Sequence, residues 1–186
     1  LHAPTGTGKT YAIWGGILNE SFELKKIKEG INVIWITPLR ALAVEIQKST
    51  QQLSRDLKTD IKVDLRTGDT PQSIRIKQNQ NFPFGLITTP ESLHVLLSSR
   101  KHKDFFKNLR AVVVDEWHEL LGTKRGVQTE LAISYLRFLI PKLKTIGISA
   151  TLGNKELAGE ILMGLGNNFK TITSKIQKRI NVKSII

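Results

Sequence analysis

The sequence predicts an α/β fold in three layers, a mainly parallel sheet with helices on both faces. Three observations predict it. Short apolar runs alternate with longer stretches of helical spacing along the chain. The runs are apolar throughout rather than at every second residue, as expected of strands buried on both sides. Motifs rich in glycine, threonine and acids follow those runs, at the strand ends where open parallel sheets hold their ligands.

The elements follow in order. Helical spacing covers 8–19, directly after a glycine-rich stretch, and INVIWI (31–36) is the first full strand. A long helix over 39–56 leads to the strand IKVDL (61–65), and a helix over 70–78 leads to FGLIT (84–88). A helix at 91–98 precedes the most apolar run, AVVVD (111–115). The helix 125–140 separates it from TIGIS (145–149), and the helix 155–163 precedes a last strand, FKTIT (169–173). Only Leu1 and His2 stand before the glycine-rich stretch, so the sheet is expected to lack most of one strand. The chain opens without methionine and reads as a piece of something longer. Trp14 and Trp35 read as core residues of a helix and a strand.

With 186 residues, 40% of them hydrophobic, the chain suits one domain with a sizeable core. Its 28 Lys and Arg against 16 Asp and Glu give a net charge of +12. Such an excess suits a polyanionic partner, nucleic acid or an anionic membrane surface, or else a solvated surface. No apolar run nears the roughly 20 residues of a membrane span, and no signal peptide is visible. No membrane partner is therefore expected. There is no cysteine, which excludes a disulfide scaffold and any thiolate chemistry. The expected compartment is the cytoplasm, beside the nucleoid, or the nucleus in a eukaryote.

APTGTGKT (3–10) matches the pattern G-x-x-x-x-G-K-[ST] except that Ala3 replaces the first glycine. Gly6 and Gly8 let the backbone turn and aim N–H groups at phosphates, together with those of Thr5 and Thr7. Lys9 reaches the β- and γ-phosphates, and the Thr10 hydroxyl suits Mg²⁺. The alternative is a Gly/Thr-rich turn that happens to precede a helix.

The run AVVVD ends in Asp115 and Glu116. Adjacent carboxylates repel each other and partly protonate if left alone. A Mg²⁺–nucleotide complex removes that cost, with Asp115 serving Mg²⁺ and Glu116 taking a proton from water or orienting it. Solvated acids at a strand end are the alternative. Zinc fits less well, since His118 and Glu119 lack the H-E-x-x-H spacing.

Taken in order, these strings resemble the motifs of superfamily 2 helicases and translocases. APTGTGKT is similar to motif I, TPLRALA (37–43) to motif Ia, and TTPESL (88–93) to motif Ib. RTGDT (66–70) is similar to the intervening glycine–aspartate turn, DEWH (115–118) to motif II of the DExH type, and SAT (149–151) to motif III. The longer strings DEWHELLGTKRGVQTEL and ISATLGN most resemble the large helicase-related proteins, including ligase-associated DEXH-box helicases. The resemblance implies a RecA-like P-loop NTPase domain over 1–174. It also implies that 175–186 is a linker toward a second RecA-like domain, which carries the arginine finger. It further implies ATP and Mg²⁺ as ligands, DNA repair as a setting, and single-stranded or tailed nucleic acid, DNA before RNA, as partner.

Lys9, Asp115 and Glu116 are then the candidate catalytic residues. Ser149 and Thr151 offer hydroxyls to His118 and the acids, which would couple nucleotide state to the strand face. His118 as a partly buried structural residue is the alternative. Thr37-Pro38 and Thr89-Pro90 each read as a capping threonine with proline at the first helical position. The N–H groups beyond such caps can hold a phosphate backbone without reading bases. Thr37, Pro38, Arg40, Gly68, Thr89 and Pro90 are the candidate strand contacts, with Arg40 pairing a phosphate. Glu91 lies near them and stabilises its helix start. Lys124 and Arg125, read as a glycine-flanked loop, either join the contacts or are solvated. Trp117 reads as packing. Two other functions stay open, a nucleic-acid-binding switch that uses ATP only to change shape, and a P-loop kinase or transport ATPase.

Overall fold

A computed structural model describes residues 1–3, 8–23, 29–151 and 153–174, with 21–23 as backbone alone. The expected phosphate contacts Thr5, Gly6 and Thr7 and the expected linker 175–186 lie outside the described residues.

Among the described residues five strands form one parallel sheet: β1 (Val33–Ile36), β2 (Val63–Arg66), β3 (Gly85–Thr88), β4 (Ala111–Val114) and β5 (Lys144–Gly147), in the order β2-β3-β1-β4-β5. The helices are α1 (Lys9–Glu23), α2 (Arg40–Asp56), α3 (Gln72–Gln80), α4 (Pro90–Leu97), α5 (His102–Phe106), α6 (Trp117–Leu120), α7 (Lys124–Leu139) and α8 (Lys155–Met163).

The central strands are apolar throughout because each serves two cores. Val33, Trp35 and Val113 face Trp14 and Leu18 of α1 and Ala43 and Ile46 of α2. Ile34, Ile36, Val112 and Val114 face Leu93 of α4, Phe106 of α5, Ile133 of α7 and Leu162 of α8. The alternation of side chains along a strand sends successive residues into opposite layers, which yields the three layers the sequence predicts.

Two readings need correction, and two elements go unpredicted. FKTIT (169–173) is not a strand; among the described residues Thr173 alone bridges to His2, which also bridges to Ser149. Two short helices, α5 and α6, are too brief to leave a helical period. Lys124 and Arg125 do not sit in a loop. Thr123 caps α7, its side chain accepting from the Gly126 N–H at 3.0 Å, so both residues belong to the first turn. Among the described residues no helix is long and apolar enough to cross a membrane.

Candidate nucleotide and strand site

The carboxyl ends of β4, β1 and β3 and the start of α1 gather most of the expected residues on one rim of the sheet. Gly8 enters α1 with φ of +78°, a conformation that glycine takes without the strain of a Cβ. Lys9 then opens the helix, and its ammonium donates to the Ala3 carbonyl at 2.7 Å. Thr10 follows in the first turn.

Asp115 ends β4 and is buried, 5% exposed. Its Oδ1 accepts the Glu116 backbone N–H at 2.9 Å and its Oδ2 accepts the Trp35 indole N–H at 3.2 Å. Burial raises its pKa above the ordinary carboxylate value, and the neighbouring Glu116 charge adds to the rise. The Trp35 and Glu116 N–H groups and the Lys9 charge oppose it. Trp35 was legible only as core. Its indole N–H is the signal for more, because a buried Trp needs a polar partner for that group.

Glu116 leaves the strand in the left-handed region, φ +46° and ψ +47°, which costs a non-glycine residue about 1–2 kcal/mol. Strain of this kind clusters at functional sites. Its Oε2 is buried and has no hydrogen-bond partner among the described residues, although His118 Nδ1 lies 3.3 Å away. The reason is that Nδ1 is engaged elsewhere, 2.9 Å from Ser149 Oγ. Ser149 Oγ also donates to the Thr151 carbonyl at 3.0 Å, and on the other side of the ring His118 Nε2 stands 3.4 Å from Glu119 Oε1. The expected contact between DEWH and SAT is thus present through Ser149. Thr151 takes part by its carbonyl, and its exposed side chain does not reach His118 or the acids. Trp117 is packing, as read: it is 2% exposed and donates to the Ala158 carbonyl.

One of the two Thr-Pro pairs behaves as expected. Thr89 caps α4, its Oγ1 accepting from the Ser92 N–H, and Pro90 takes the first turn. Thr37 does not cap α2. The chain runs on through Pro38 and Leu39, Leu39 is the cap residue and offers no side-chain bond, and the helix opens at Arg40. Pro38 is therefore outside the first helical turn. The Thr37 hydroxyl is buried and has no partner among the described residues.

Arg40 is exposed, and its Nη1 meets both Asp69 oxygens, at 2.6 and 2.7 Å. The turn that holds Gly68 and Asp69 is braced from α3 by Arg75. Its Nε donates to the Thr70 carbonyl and its Nη2 to those of Thr67 and Gly68. Nothing in the sequence pattern marks Arg75. Glu91 is held by Arg125; burial works to raise its pKa, but the Arg125 hydrogen bonds, its own backbone N–H and the Thr89 hydroxyl outweigh that and lower it. Lys124 is exposed on the first turn of α7.

Among the described residues no group of three or more His, Asp or Glu could hold a metal unaided. One buried carboxylate that feels the Lys9 charge suits Mg²⁺, which is commonly shared between one or two carboxylates and substrate phosphates. The buried, charge-crowded Asp115 fits a cation of that kind.

Residues 1–158 match the DEAD/DEAH box helicase family. The chain is 32% identical over 196 residues to the ATP-dependent helicase Lhr-Core of Saccharolobus solfataricus, covering all of this chain and 22% of that protein. It is 34% identical over 181 residues to the Lhr helicase/uracil glycosylase of Escherichia coli, covering 87% of this chain and 12% of that one. Its fold superposes on Mycobacterium smegmatis helicase Lhr bound to ssDNA and AMP-PNP with a TM-score of 0.76 and 32% identity, over 88% of this chain and 22% of that one. The chain thus spans about a fifth or less of the length of these relatives.

Proposed function

The chain belongs to the DEAD/DEAH box helicase family, and we propose that residues 1–174 are the first RecA-like, ATP-binding domain of a helicase or translocase acting on single-stranded DNA. In this reading 175–186 lead toward a second RecA-like domain that supplies the arginine finger, and the whole protein steps along a strand as ATP is hydrolysed. The neighbour with ssDNA and AMP-PNP, the net charge of +12 and the Lhr-type relatives support it.

One observation carries the chemistry. Glu116 presents a buried carboxylate oxygen with no hydrogen-bond donor on it among the described residues, on a strained backbone. Such an oxygen suits accepting a proton from water, at Oε2. Asp115 is the partner acid, kept in one rotamer by two N–H donors. Mg²⁺, when bound with the nucleotide, supplies positive charge against the phosphates. Lys9 and Thr10 would hold the nucleotide, with Asp115 and Thr10 nearest the metal. His118 and Ser149 link this rim to the segment after β5, a route by which nucleotide state would reach the strand face.

The test is Glu116→Gln in the full-length protein. Nucleotide binding should persist while DNA-stimulated ATP hydrolysis falls by about 10²–10⁴-fold, the usual range for loss of a general base. Turnover that survives the change would show that Glu116 is not the base and would favour the switch reading.

A further inference from the structure

The sequence pairs Arg125 with Lys124 as a strand contact, but its surroundings assign it another task. All three guanidinium nitrogens already donate inside the protein. Nε meets Glu91 Oε1 at 2.5 Å, Nη2 meets Glu91 Oε2 at 3.3 Å, and Nη1 meets the Pro38 carbonyl at 2.8 Å. Glu91 stands in the first turn of α4, just after the Thr89-Pro90 start. Pro38 belongs to the loop before α2. These are the two loops expected to hold a phosphate backbone, one after β3 and one after β1.

Arg125 is itself fixed from below. A Cβ on the next residue, Gly126, would stand 2.0 Å from the Leu120 carbonyl oxygen, so α7 starts hard against the end of α6. The Thr123 cap and the bond from the Thr129 hydroxyl to the Arg125 carbonyl hold the turn. A planar fork anchored in this way can hold two separate loops at one spacing, which a lysine ammonium cannot do.

The geometry points to Arg125 as a positioning residue that sets the distance between the Pro38 loop and the start of α4, and not as a phosphate ligand. The inference rests on the strand-binding reading above. Its partner is the single-stranded backbone, gripped by N–H groups of the two loops that Arg125 ties together.

Salt dependence separates the two roles. Each phosphate neutralised by a protein cation contributes about 0.7 to the slope of log K against log[salt] for single strands. Oligo(dT) affinity of the full-length protein is measured across a salt series for wild type, R125K, R125A and E91Q. The expected result is binding weaker by roughly five- to thirtyfold in R125K, R125A and E91Q alike, with the wild-type slope retained. In the double variant E91Q/R125A the loss should be no larger than in either single variant. A slope lower by about 0.7 in R125A, near-normal binding in R125K, or tighter binding in E91Q would make Arg125 a phosphate ligand and overturn the inference. Unchanged binding in all three would overturn it too. A wild-type protein that fails to bind oligo(dT) would instead overturn the strand-binding reading itself. Should R125A not fold, R125K and E91Q alone decide the question.

Discussion

Trp35→Phe tests whether the buried acid of the site is held by the core. The indole N–H donates to Asp115 Oδ2 at 3.2 Å between a residue fully buried and one 5% exposed. A hydrogen bond to a charged group contributes about 1.5–3 kcal/mol. The smaller ring also leaves a void beside Trp14, which stacks on Trp35 at 5.7 Å between centroids, for about 1 kcal/mol more. The expected loss near neutral pH is therefore about 2.5–4 kcal/mol, measured by denaturant unfolding without nucleotide or metal.

The pH dependence gives the sharper test. Burial raises the Asp115 pKa in the folded protein, so the native state binds this proton more readily than the unfolded one. Stability attached to Asp115 therefore falls as pH rises from the unfolded pKa through the raised folded one. Removing the Trp35 donor pushes the folded pKa further up, so the variant gains more from acidification. The penalty should be largest near pH 7 and shrink toward the packing part alone as Asp115 is protonated. In an Asp115→Asn background it should not change with pH. An equal penalty at both ends of the range in the wild-type background would refute the argument and leave Trp35 as packing.

Further outcomes follow from the same contacts. Thr37→Val replaces a buried, unpartnered hydroxyl by a methyl of the same shape and should raise stability by about 1 kcal/mol; a lower thermal midpoint would mean that the hydroxyl has a partner. Asp69→Asn frees Arg40 from an exposed ion pair, 62% and 65% exposed, and should tighten oligonucleotide binding of the full-length protein by no more than about fivefold; weaker binding would mean that the pair shapes the site. Gly126→Ala drives a Cβ onto the Leu120 carbonyl and should cost roughly 1–3 kcal/mol, seen as a melting point about 2–4 °C lower per kcal/mol. A stabilised Gly126→Ala variant, as helix propensity alone would give, would contradict the close contact.

The sheet and its rim were legible because they rest on local patterns. A strand buried on both sides must be apolar at every position, so VIWI and AVVV declare themselves. DEWH and GKT set their charged and hydroxyl groups side by side in the chain, and the His118–Ser149 bond follows from the kinds of side chain involved. The failures are also local in origin. Thr37-Pro38 and Thr89-Pro90 look alike as strings, yet one opens a helix and the other a loop, because the next residues decide where helical dihedrals begin.

What the sequence by itself determined is the parallel sheet, the alternation of its five strands with the longer helices, and the acids and hydroxyls that stand at the strand ends among the described residues. Only the tertiary structure decided how charge is spent among them. Arg125 and Glu91 are separated by 34 residues, and Arg125 and Pro38 by 87. Trp35 and Asp115 are separated by 80. No local pattern records such pairs, since a guanidinium or an indole N–H takes whatever acceptor the packed layers bring within reach. An exposed-looking arginine in the sequence thus becomes a tie between two loops, and a core tryptophan becomes the support of a buried carboxylate.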